Sequence, residues 1–254
     1  MPFKEFCQPE QLHPGRKFFA VLLDPDNLDE AACLNLLSLS EINPIDFFFI
    51  GGSLVTSSYQ AALIQLIKAN SNTPIILFPS SSLHIDKDAD GILLLSLISG
   101  RNPDLLIGQH VISAPILKTS KLKIFPTGYM LVDSGRQTTA SYMSGTTPIP
   151  YDKPTIAACT AMAGEQLGLR YIYMDGGSGA QKPISAEMIS AVKEAVDIPV
   201  IIGGGINTTE KAKVVLDAGA DVIVVGNHIE KNPSFLAEVS HLVASYNVAL
   251  DVHR

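Results

Sequence analysis

Two aspartates stand where predicted strands of the sequence end, and carboxylates in that position suit acid–base or metal chemistry. Asp24 follows the apolar run Phe18–Leu23, and Asp175 follows the run 170–174. Asp175 is a candidate general base or a ligand for a substrate hydroxyl, because a carboxylate rarely lies buried without a partner. Asp24 is a candidate ligand for Mg²⁺, which binds through one or two carboxylates, water and substrate phosphates. A helix cap or a turn is the alternative role for Asp24.

Three glycine-rich segments follow successive predicted strands in the second half of the chain. They occupy residues 173–180, 201–206 and 224–227. Glycine lets backbone N–H groups approach an anion closely, and a helix that follows adds a partial positive charge at its N-terminus. The alternative is that these are tight turns without a ligand. The recurrence of glycine-rich turns on consecutive strands favours a phosphate site. The residues of the last two turns that we expect to bind phosphate are Gly203, Gly204, Gly205, Gly226 and Asn227.

Weaker candidates lie at or near the ends of other strands. Ser53 follows two glycines after the second strand, where its hydroxyl either completes a Mg²⁺ shell or caps a helix. Tyr173 shares one strand face with Asp175 and either contacts phosphate or packs in the interior. Arg101 follows the fourth strand and is either a ligand for a second anionic group or an ordinary solvated arginine.

Eight apolar runs alternate with helical segments, and this alternation predicts the fold that positions these residues. The runs are almost continuously hydrophobic, as parallel strands buried on both faces are. Eight such strands in 254 residues indicate a (β/α)₈ TIM barrel, a single domain over residues 1–254, with functional residues at the carboxyl ends of the strands. The predicted strands are 18–23, 46–50, 74–78, 92–97, 123–132, 170–174, 199–202 and 222–225.

Two intervals depart from the regular barrel pattern. Only the twelve residues 79–90 separate the third and fourth strands, which is too few for two loops and a full helix. We therefore expect the helix there to be missing or reduced to a turn, which leaves an apolar cleft suited to a long hydrocarbon tail. After the fifth strand, residues 133–153 form a long segment rich in Ser, Thr and Gly. Such a segment is typical of a lid or binding loop, and otherwise of a flexible surface excursion.

The composition limits the partners of the chain. A net charge of −7 argues against a nucleic-acid partner held by a general basic surface. Hydrophobic residues make up 46% of the chain, enough for a core and for an apolar groove or subunit interface. No apolar run is long enough to cross a bilayer and no signal-peptide pattern is present, so we expect a cytoplasmic protein.

Several motifs occur in an order that resembles the geranylgeranylglyceryl phosphate synthases. The resemblance spans nearly the whole chain, and segment 126–180 is its most specific part because generic phosphate-binding barrels lack it. The motifs are Leu-Asp-Pro-Asp at 23–26, Ile-Gly-Gly-Ser at 50–53, Ser-Gly-Arg-Asn-Pro at 99–103, Phe-Pro-Thr-Gly-Tyr at 125–129, Thr-Pro-Ile-Pro at 147–150, Tyr-Met-Asp-Gly-Gly-Ser-Gly-Ala at 173–180, Gly-Gly-Gly-Ile at 203–206 and Gly-Asn at 226–227.

This resemblance implies a modified barrel that lacks one regular helix and a prenyltransferase that joins sn-glycerol 1-phosphate to geranylgeranyl diphosphate through an ether bond. It implies Mg²⁺ on Asp24 and Ser53, with Asp175 orienting or deprotonating the glycerol hydroxyl. The family often has Glu in place of Asp175 and Lys in place of Asn27. The residues expected to bind glycerol phosphate are Tyr173, Met174, Asp175, Gly176, Gly177, Ser178, Gly179, Gly203, Gly204, Gly205, Gly226 and Asn227.

Three alternatives stay open beside this function. One is the same chemistry with another prenyl length, such as a heptaprenyl donor. The second is a phosphosugar isomerase barrel, and the third is a catalytically silent barrel that binds a phosphorylated ligand. We further expect Arg101 to contact the diphosphate, the chain to form a homo-oligomer (a dimer or a hexamer), and the lipid product to require transient contact with a membrane surface.

Overall fold

The computed structural model describes residues 2–252, apart from the side chains of Gln11, Asp251 and Val252. Eight parallel strands close into a barrel in sequence order, and β8 pairs with β1. The predicted barrel is thereby confirmed, and each strand boundary lies within one residue of its predicted position. The strands are β1 Phe18–Leu23, β2 Phe47–Gly51, β3 Ile75–Phe78, β4 Gly91–Leu97, β5 Lys123–Leu131, β6 Tyr171–Asp175, β7 Val200–Gly203 and β8 Val222–Val225.

Helices cover most of the outer face of the barrel. Within residues 2–252, no helix is long and apolar enough to cross a membrane. Short 3₁₀ turns occur at Pro9–Gln11 and Ser82–His84, and a π-helical turn at Asp104–Gly108 leads directly into α4. The helices are α1 Pro2–Phe6, α2 Glu30–Ile42, α3 Gln60–Asn70, α4 Gln109–Thr119, α5 Thr139–Ser144, α6 Pro154–Gln166, α7 Ala186–Ala195, α8 Thr209–Asp217, α9 Asn227–Lys231 and α10 Phe235–Val252.

The interior of the barrel is filled with aromatic side chains at the end opposite the candidate site. Phe6 of α1 inserts there, with its ring centroid 4.7 Å from that of Tyr171 and 4.8 Å from that of Phe47. Because these rings are fully buried, this end of the barrel is a packed core. A second core lies between the strands and the outer helices. The open end of the barrel is therefore the one at the carboxyl ends of the strands.

The outer layer is interrupted between β3 and β4, as the short interval predicts. Residues 79–90 are all described, and among them the chain makes only the 3₁₀ turn Ser82–His84 and no regular helix. Side-chain amides hold the turn from both sides. Gln60 of α3 donates to the carbonyl oxygen of His84 at 2.9 Å, and the Gln109 side chain of α4 accepts from the Ser82 N–H at 3.4 Å. The missing helix leaves an apolar cleft along β4.

The long segment after β5 is folded over the open end of the barrel. A parallel bridge between Val132 and Ile149 closes its base. Within it, Thr138 and Ser141 form a capping box at the start of α5. Thr138 also packs so tightly on the β6 turn that a Cβ on Gly177 would lie 2.6 Å from the Thr138 hydroxyl oxygen. These contacts hold α5 over the carboxyl ends of the strands, where it covers part of the open end of the barrel.

Candidate active site

Two clefts of different chemistry meet at the open end of the barrel. A cleft of about 460 Å³ carries the aspartates and glycine turns, and an apolar cleft of about 400 Å³ runs from it along the interrupted wall. Gly52, Ser53, Leu54 and Phe78 line both clefts. A ligand with an anionic head and a long apolar tail matches this pair of adjoining spaces.

The three glycine-rich segments come together around the polar cleft. Asn227 donates from its side-chain amide to the Ser178 hydroxyl at 2.9 Å, which joins the turns after β6 and β8. Gly204 of the turn between them has a φ of +83°, and a Cβ on it would lie 2.9 Å from an oxygen of Asp175. Only glycine fits at that position without strain or collision. The turns therefore expose backbone rather than side chains to a ligand.

Most of the residues expected to bind glycerol phosphate line the polar cleft, and three lie behind it. Met174 points its side chain away from the barrel interior into the outer core. Gly203 lies against the Tyr173 hydroxyl, and Gly176 packs against the Ala180 and Ser134 side chains. The residues that line the cleft are Tyr173, Asp175, Gly177, Ser178, Gly179, Gly204, Gly205, Gly226 and Asn227.

Asp175 is buried at the edge of the cleft and is held at both oxygens. Its Oδ2 accepts from the Tyr129 hydroxyl at 2.5 Å, and its Oδ1 accepts from the Gly177 N–H at 2.7 Å. Burial raises the pKa of this carboxyl above its ordinary value, while the two hydrogen bonds oppose that rise. Burial and the neighbouring carboxylate hold the pKa of Tyr129 well above 10, so the phenol remains a donor. Asp175 is therefore held in one orientation at the edge of the cleft, and its raised pKa makes the carboxylate a stronger base than an exposed aspartate.

Tyr129 belongs to a group of three aromatic rings where the two clefts meet. The Tyr129 and Tyr173 centroids lie 5.6 Å apart, and Phe78 lies 5.1 Å from Tyr173 and 5.8 Å from Tyr129. Tyr129 and Tyr173 are direct partners in the β5–β6 register, so both side chains point into the barrel. The π faces of this group attract positive charge.

Asp24 lies across the polar cleft from Asp175, at the end of β1. Its Oδ1 accepts from the Asp26 N–H at 3.0 Å, and its Oδ2 accepts from the Asn27 side-chain amide at 2.8 Å. Burial raises the pKa of Asp24, and the hydrogen bonds from the Asp26 N–H and the Asn27 amide oppose that rise. The neutral amide of Asn27 thus orients the Asp24 carboxylate. The geranylgeranylglyceryl phosphate synthases that the motifs resemble often have a lysine at this position.

Asp26 fixes the neighbouring loop that carries Ser53. One carboxylate oxygen accepts from the N–H and the hydroxyl of Thr56, each at 2.8 Å, and the other accepts from the Ser57 N–H at 2.7 Å. These bonds join the loop after β1 to the loop after β2. Ser53 and Asp24 are consequently held on the same side of the polar cleft.

The oxygen atoms of Asp24 and Ser53 would suit a magnesium ion that is bound together with a phosphorylated ligand. A Cβ on Gly52 would lie 3.1 Å from Oδ2 of Asp24, so the glycine keeps this oxygen accessible. Carboxylate and hydroxyl oxygens are hard ligands, and Mg²⁺ keeps several waters beside them. Within residues 2–252, no cluster of three or more His, Cys, Asp or Glu side chains could cage a metal alone. Asp24 and Ser53 would therefore share the ion with ligand oxygens.

Sequence reasoning missed three residues of this site. Tyr129 appeared only inside a motif, because its partner Asp175 is 46 residues away in the chain. Glu230 accepts from the Asp24 N–H at 3.1 Å, and burial raises the pKa of its carboxyl. Lys231 of α9 lines the polar cleft and brings a cation beside the phosphate turns. Its position one helical turn after Asn227 is the signal that could have indicated it.

Arg101, the expected diphosphate ligand, lies outside the polar cleft. Its guanidinium donates to the Gly100 carbonyl at 2.7 Å and lies beside a separate depression between β4 and α6. That depression contains Ile156, Cys159 and Leu167, and none of the glycine turns. A role for Arg101 in diphosphate binding stays a prediction.

The apolar cleft has the lining that a hydrocarbon chain requires. Its floor is β4, its two walls are segment 79–85 and the start of α4, and α5 covers part of its mouth. Most of the exposed lining atoms are apolar, although polar side chains such as Gln109, His110 and the buried Ser113 also line it. The apolar residues that line it are Leu54, Val55, Phe78, Leu83, Ile85, Ile92, Leu94, Leu95, Leu97, Leu105 and Met143.

The barrel, the glycine turns at its open end and the buried carboxylate place this chain in the class of phosphate-binding (β/α)₈ enzymes. Its comparison with known proteins is more specific. A family model described as the PcrB family matches residues 13–243. A geranylgeranylglyceryl phosphate synthase from Spirosoma linguale is 58% identical over 92% of this chain and 94% of its own. One from Thermococcus kodakarensis is 40% identical over 85% of each chain.

A solved structure agrees with these relatives. The (S)-3-O-geranylgeranylglyceryl phosphate synthase of Thermoplasma acidophilum, in complex with its substrate sn-glycerol-1-phosphate, superposes with a TM-score of 0.86. The two sequences are 30% identical, and the match covers 96% of this chain and 98% of the other. The chain therefore belongs to the PcrB family, the family of the geranylgeranylglyceryl phosphate synthases, and the resemblance found in its motifs is confirmed.

Proposed function

We propose that this chain is an Mg²⁺-assisted prenyltransferase that joins sn-glycerol 1-phosphate to geranylgeranyl diphosphate and releases diphosphate. The observation that carries the proposal is the meeting of a phosphate-binding cleft with an apolar cleft at Ser53 and Phe78. Neither cleft alone requires this reaction, but their junction places an anionic head beside a hydrocarbon tail. Detection of the ether product from the purified chain tests the proposal.

Glycerol phosphate binds in the polar cleft in this account. The backbone N–H groups of the turns after β7 and β8 hold its phosphate, and Lys231 adds a nearby positive charge. This leaves the glycerol 3-hydroxyl to face Asp175. Asp175 orients the hydroxyl and accepts its proton as the oxygen attacks the allylic carbon.

The prenyl diphosphate lies with its head at the junction and its tail in the apolar cleft. Bound by Asp24 and Ser53, Mg²⁺ would supply the counter-charge for the departing diphosphate. The bond between the allylic carbon and the diphosphate oxygen breaks, and a bond from that carbon to the glycerol oxygen forms. The rings of Phe78 and Tyr129 lie where positive charge develops on the allylic carbon and stabilise it through their π faces.

A phosphosugar isomerase is less consistent with the site. Isomerisation needs an acid and a base on either side of a small substrate. Such a substrate would fill only the polar cleft, and the apolar cleft would have no ligand. A heptaprenyl donor uses the same chemistry and differs only in the length of tail that the cleft accepts. The geranylgeranyl donor is the one used by the similar synthases of Spirosoma linguale and Thermococcus kodakarensis. The homo-oligomer and the cytoplasmic location stay predictions.

The hydrogen bond from Tyr129 predicts a pH effect. The phenol stabilises the ionised form of Asp175, so it lowers a pKa that burial has raised. Tyr129→Phe removes this donor, and the pKa of Asp175 should rise further. Because the ionised carboxylate is the active base, the acid limb of the kcat/KM profile for glycerol phosphate should move to higher pH. The exposed Tyr142→Phe variant is the control, and an unchanged limb in Tyr129→Phe would argue against Asp175 as the base.

The turn after β7 predicts a selective loss of glycerol phosphate binding. Gly204→Val should raise the Kd for glycerol phosphate about a hundredfold, because the branched side chain would meet Asp175 at a φ that valine disfavours. Gly219→Val is the matched control, since Gly219 has a φ of +111° but contacts only the Lys193 side chain. Titration calorimetry with both substrates measures the effect. Equal weakening in the two variants would assign the loss to backbone strain alone.

The interrupted wall predicts control over prenyl length. Ser113 is buried in the wall of the apolar cleft, and Ser113→Phe should fill the space of the tail. The preference in kcat/KM for geranylgeranyl over the shorter farnesyl diphosphate should fall about tenfold or more. Glycerol phosphate binding should change little, because its site lies across the barrel. Ser245→Phe on the exposed face of α10 is the control, and an unchanged preference in Ser113→Phe would place the tail elsewhere.

A further inference from the structure

Three exposed apolar side chains surround the mouth of the apolar cleft, and each comes from a different loop. Leu54 follows β2, Leu83 lies in the 3₁₀ turn after β3, and Met143 lies in α5. Their exposed fractions are 46%, 89% and 53%, and all three line the cleft. Single exposed apolar residues are ordinary, but three that converge from separate loops at one opening form a patch. We call Leu54, Leu83 and Met143 the cleft rim.

We propose that the cleft rim docks on the hydrocarbon–headgroup boundary of a lipid bilayer, so that the prenyl chain passes between membrane and cleft without crossing water. The inference rests on the proposed function, because that function gives the cleft a hydrocarbon occupant. Each buried CH₂ group costs about 0.8 kcal/mol when it is returned to water. A long prenyl chain therefore exchanges far more readily from a membrane, and an apolar rim open to the cleft provides that path.

The surrounding features favour a bilayer over a second copy of the chain. A second copy seated on the rim would cover the opening through which the tail must enter. Another set of exposed apolar residues lies away from the rim and includes Ile107 in the π-helical turn before α4, Ile156 in α6 and Leu167 just after α6. Self-association through these residues would leave the mouth of the cleft free. The rim itself offers little positive charge, since segment 79–90 contains three aspartates and one lysine. We therefore expect insertion of apolar side chains rather than attraction to anionic lipids.

The sequence contains no tryptophan, which allows a direct test. In Leu83→Trp the single indole reports on the rim, and in Leu167→Trp it reports on a leucine of similar exposure, 80%, on another face. With phosphatidylcholine vesicles and no substrate, the emission of Leu83→Trp should shift to shorter wavelength and be quenched by brominated lipid. The emission of Leu167→Trp should not change. Vesicle co-sedimentation should show about a tenfold lower partition coefficient for Leu83→Ser than for the unmodified chain. The partition coefficient of Leu167→Ser should be unchanged.

Three outcomes would overturn the docking proposal. The first is a Leu83→Trp emission that vesicles leave unchanged, and the second is an equal shift in both tryptophan variants. The third is a shift that depends on protein concentration without lipid, which would mean that a second copy covers the rim. Because the vesicle measurements use no substrate, they fail separately from the proposed reaction. Product formation without vesicle binding overturns only the docking surface, and vesicle binding without product overturns only the proposed reaction.

Discussion

Asp24→Asn is expected to lower kcat about a thousand-fold, equal to about 4 kcal/mol of transition-state stabilisation, while the barrel stays folded. The substitution keeps the shape of the side chain and removes the carboxylate charge that lies beside Gly52 at the junction of the clefts. Without that charge, the Mg²⁺ that would neutralise the departing diphosphate should bind weakly. The loss should therefore appear in turnover more than in glycerol phosphate affinity.

Two measurements separate this loss from a structural effect. The first is the rise in melting temperature that Mg²⁺ and diphosphate together produce, which Asp24→Asn should abolish. The second uses Asp29→Asn, a matched control nearby, since Asp29 caps α2 by accepting from the Ala32 N–H at 2.8 Å and asparagine caps equally well. Near wild-type activity of Asp24→Asn at limiting Mg²⁺ would show that Asp24 does not bind the metal.

Asp175→Asn is expected to lower kcat by about a hundred- to ten-thousand-fold, the range for loss of a positioned general base. Asparagine still accepts one of the two hydrogen bonds, from Tyr129 or Gly177, but it cannot take the hydroxyl proton. The phosphate turns are unchanged, so calorimetry should find the Kd for glycerol phosphate within a few-fold of wild type.

The control for this second variant is Asp133→Asn. Asp133 lies just beyond the end of the neighbouring strand β5, is exposed, and accepts from the Gly135 N–H at 2.9 Å. It should keep its turnover. If Asp175→Asn lost glycerol phosphate binding in proportion to its activity, Asp175 would be a binding residue and the proton acceptor would lie elsewhere.

The barrel was predictable because its signals are local. Strands buried on both faces appear as short apolar runs, and β1 and β8 begin and end at the predicted residues. The interruption between β3 and β4 followed from chain length alone, since residues 79–90 are too few for a helix. The glycine turns were also visible, because backbone that approaches a ligand at positive φ needs glycine.

The finer parts of the site depend on contacts between distant residues. The pairing of Tyr129 with Asp175 requires the register between β5 and β6, and the support of Asp24 by Glu230 joins residues 206 positions apart. Arg101 follows a strand like the other candidates, yet its guanidinium turns back to the carbonyl of Gly100. The segment after β5 looked like a loop because α5 has only six residues, too few for a clear helical period.

The most direct test of the central claim is mass-spectrometric detection of product from the purified chain with Mg²⁺. The substrates are the two enantiomers of glycerol phosphate, each offered with geranylgeranyl and with heptaprenyl diphosphate. We expect an ether product from sn-glycerol 1-phosphate and geranylgeranyl diphosphate, with little from the 3-phosphate, because Asp175 and the phosphate turns are fixed on different strands. Equal rates with both enantiomers, or no ether product from any pair, would contradict the central claim.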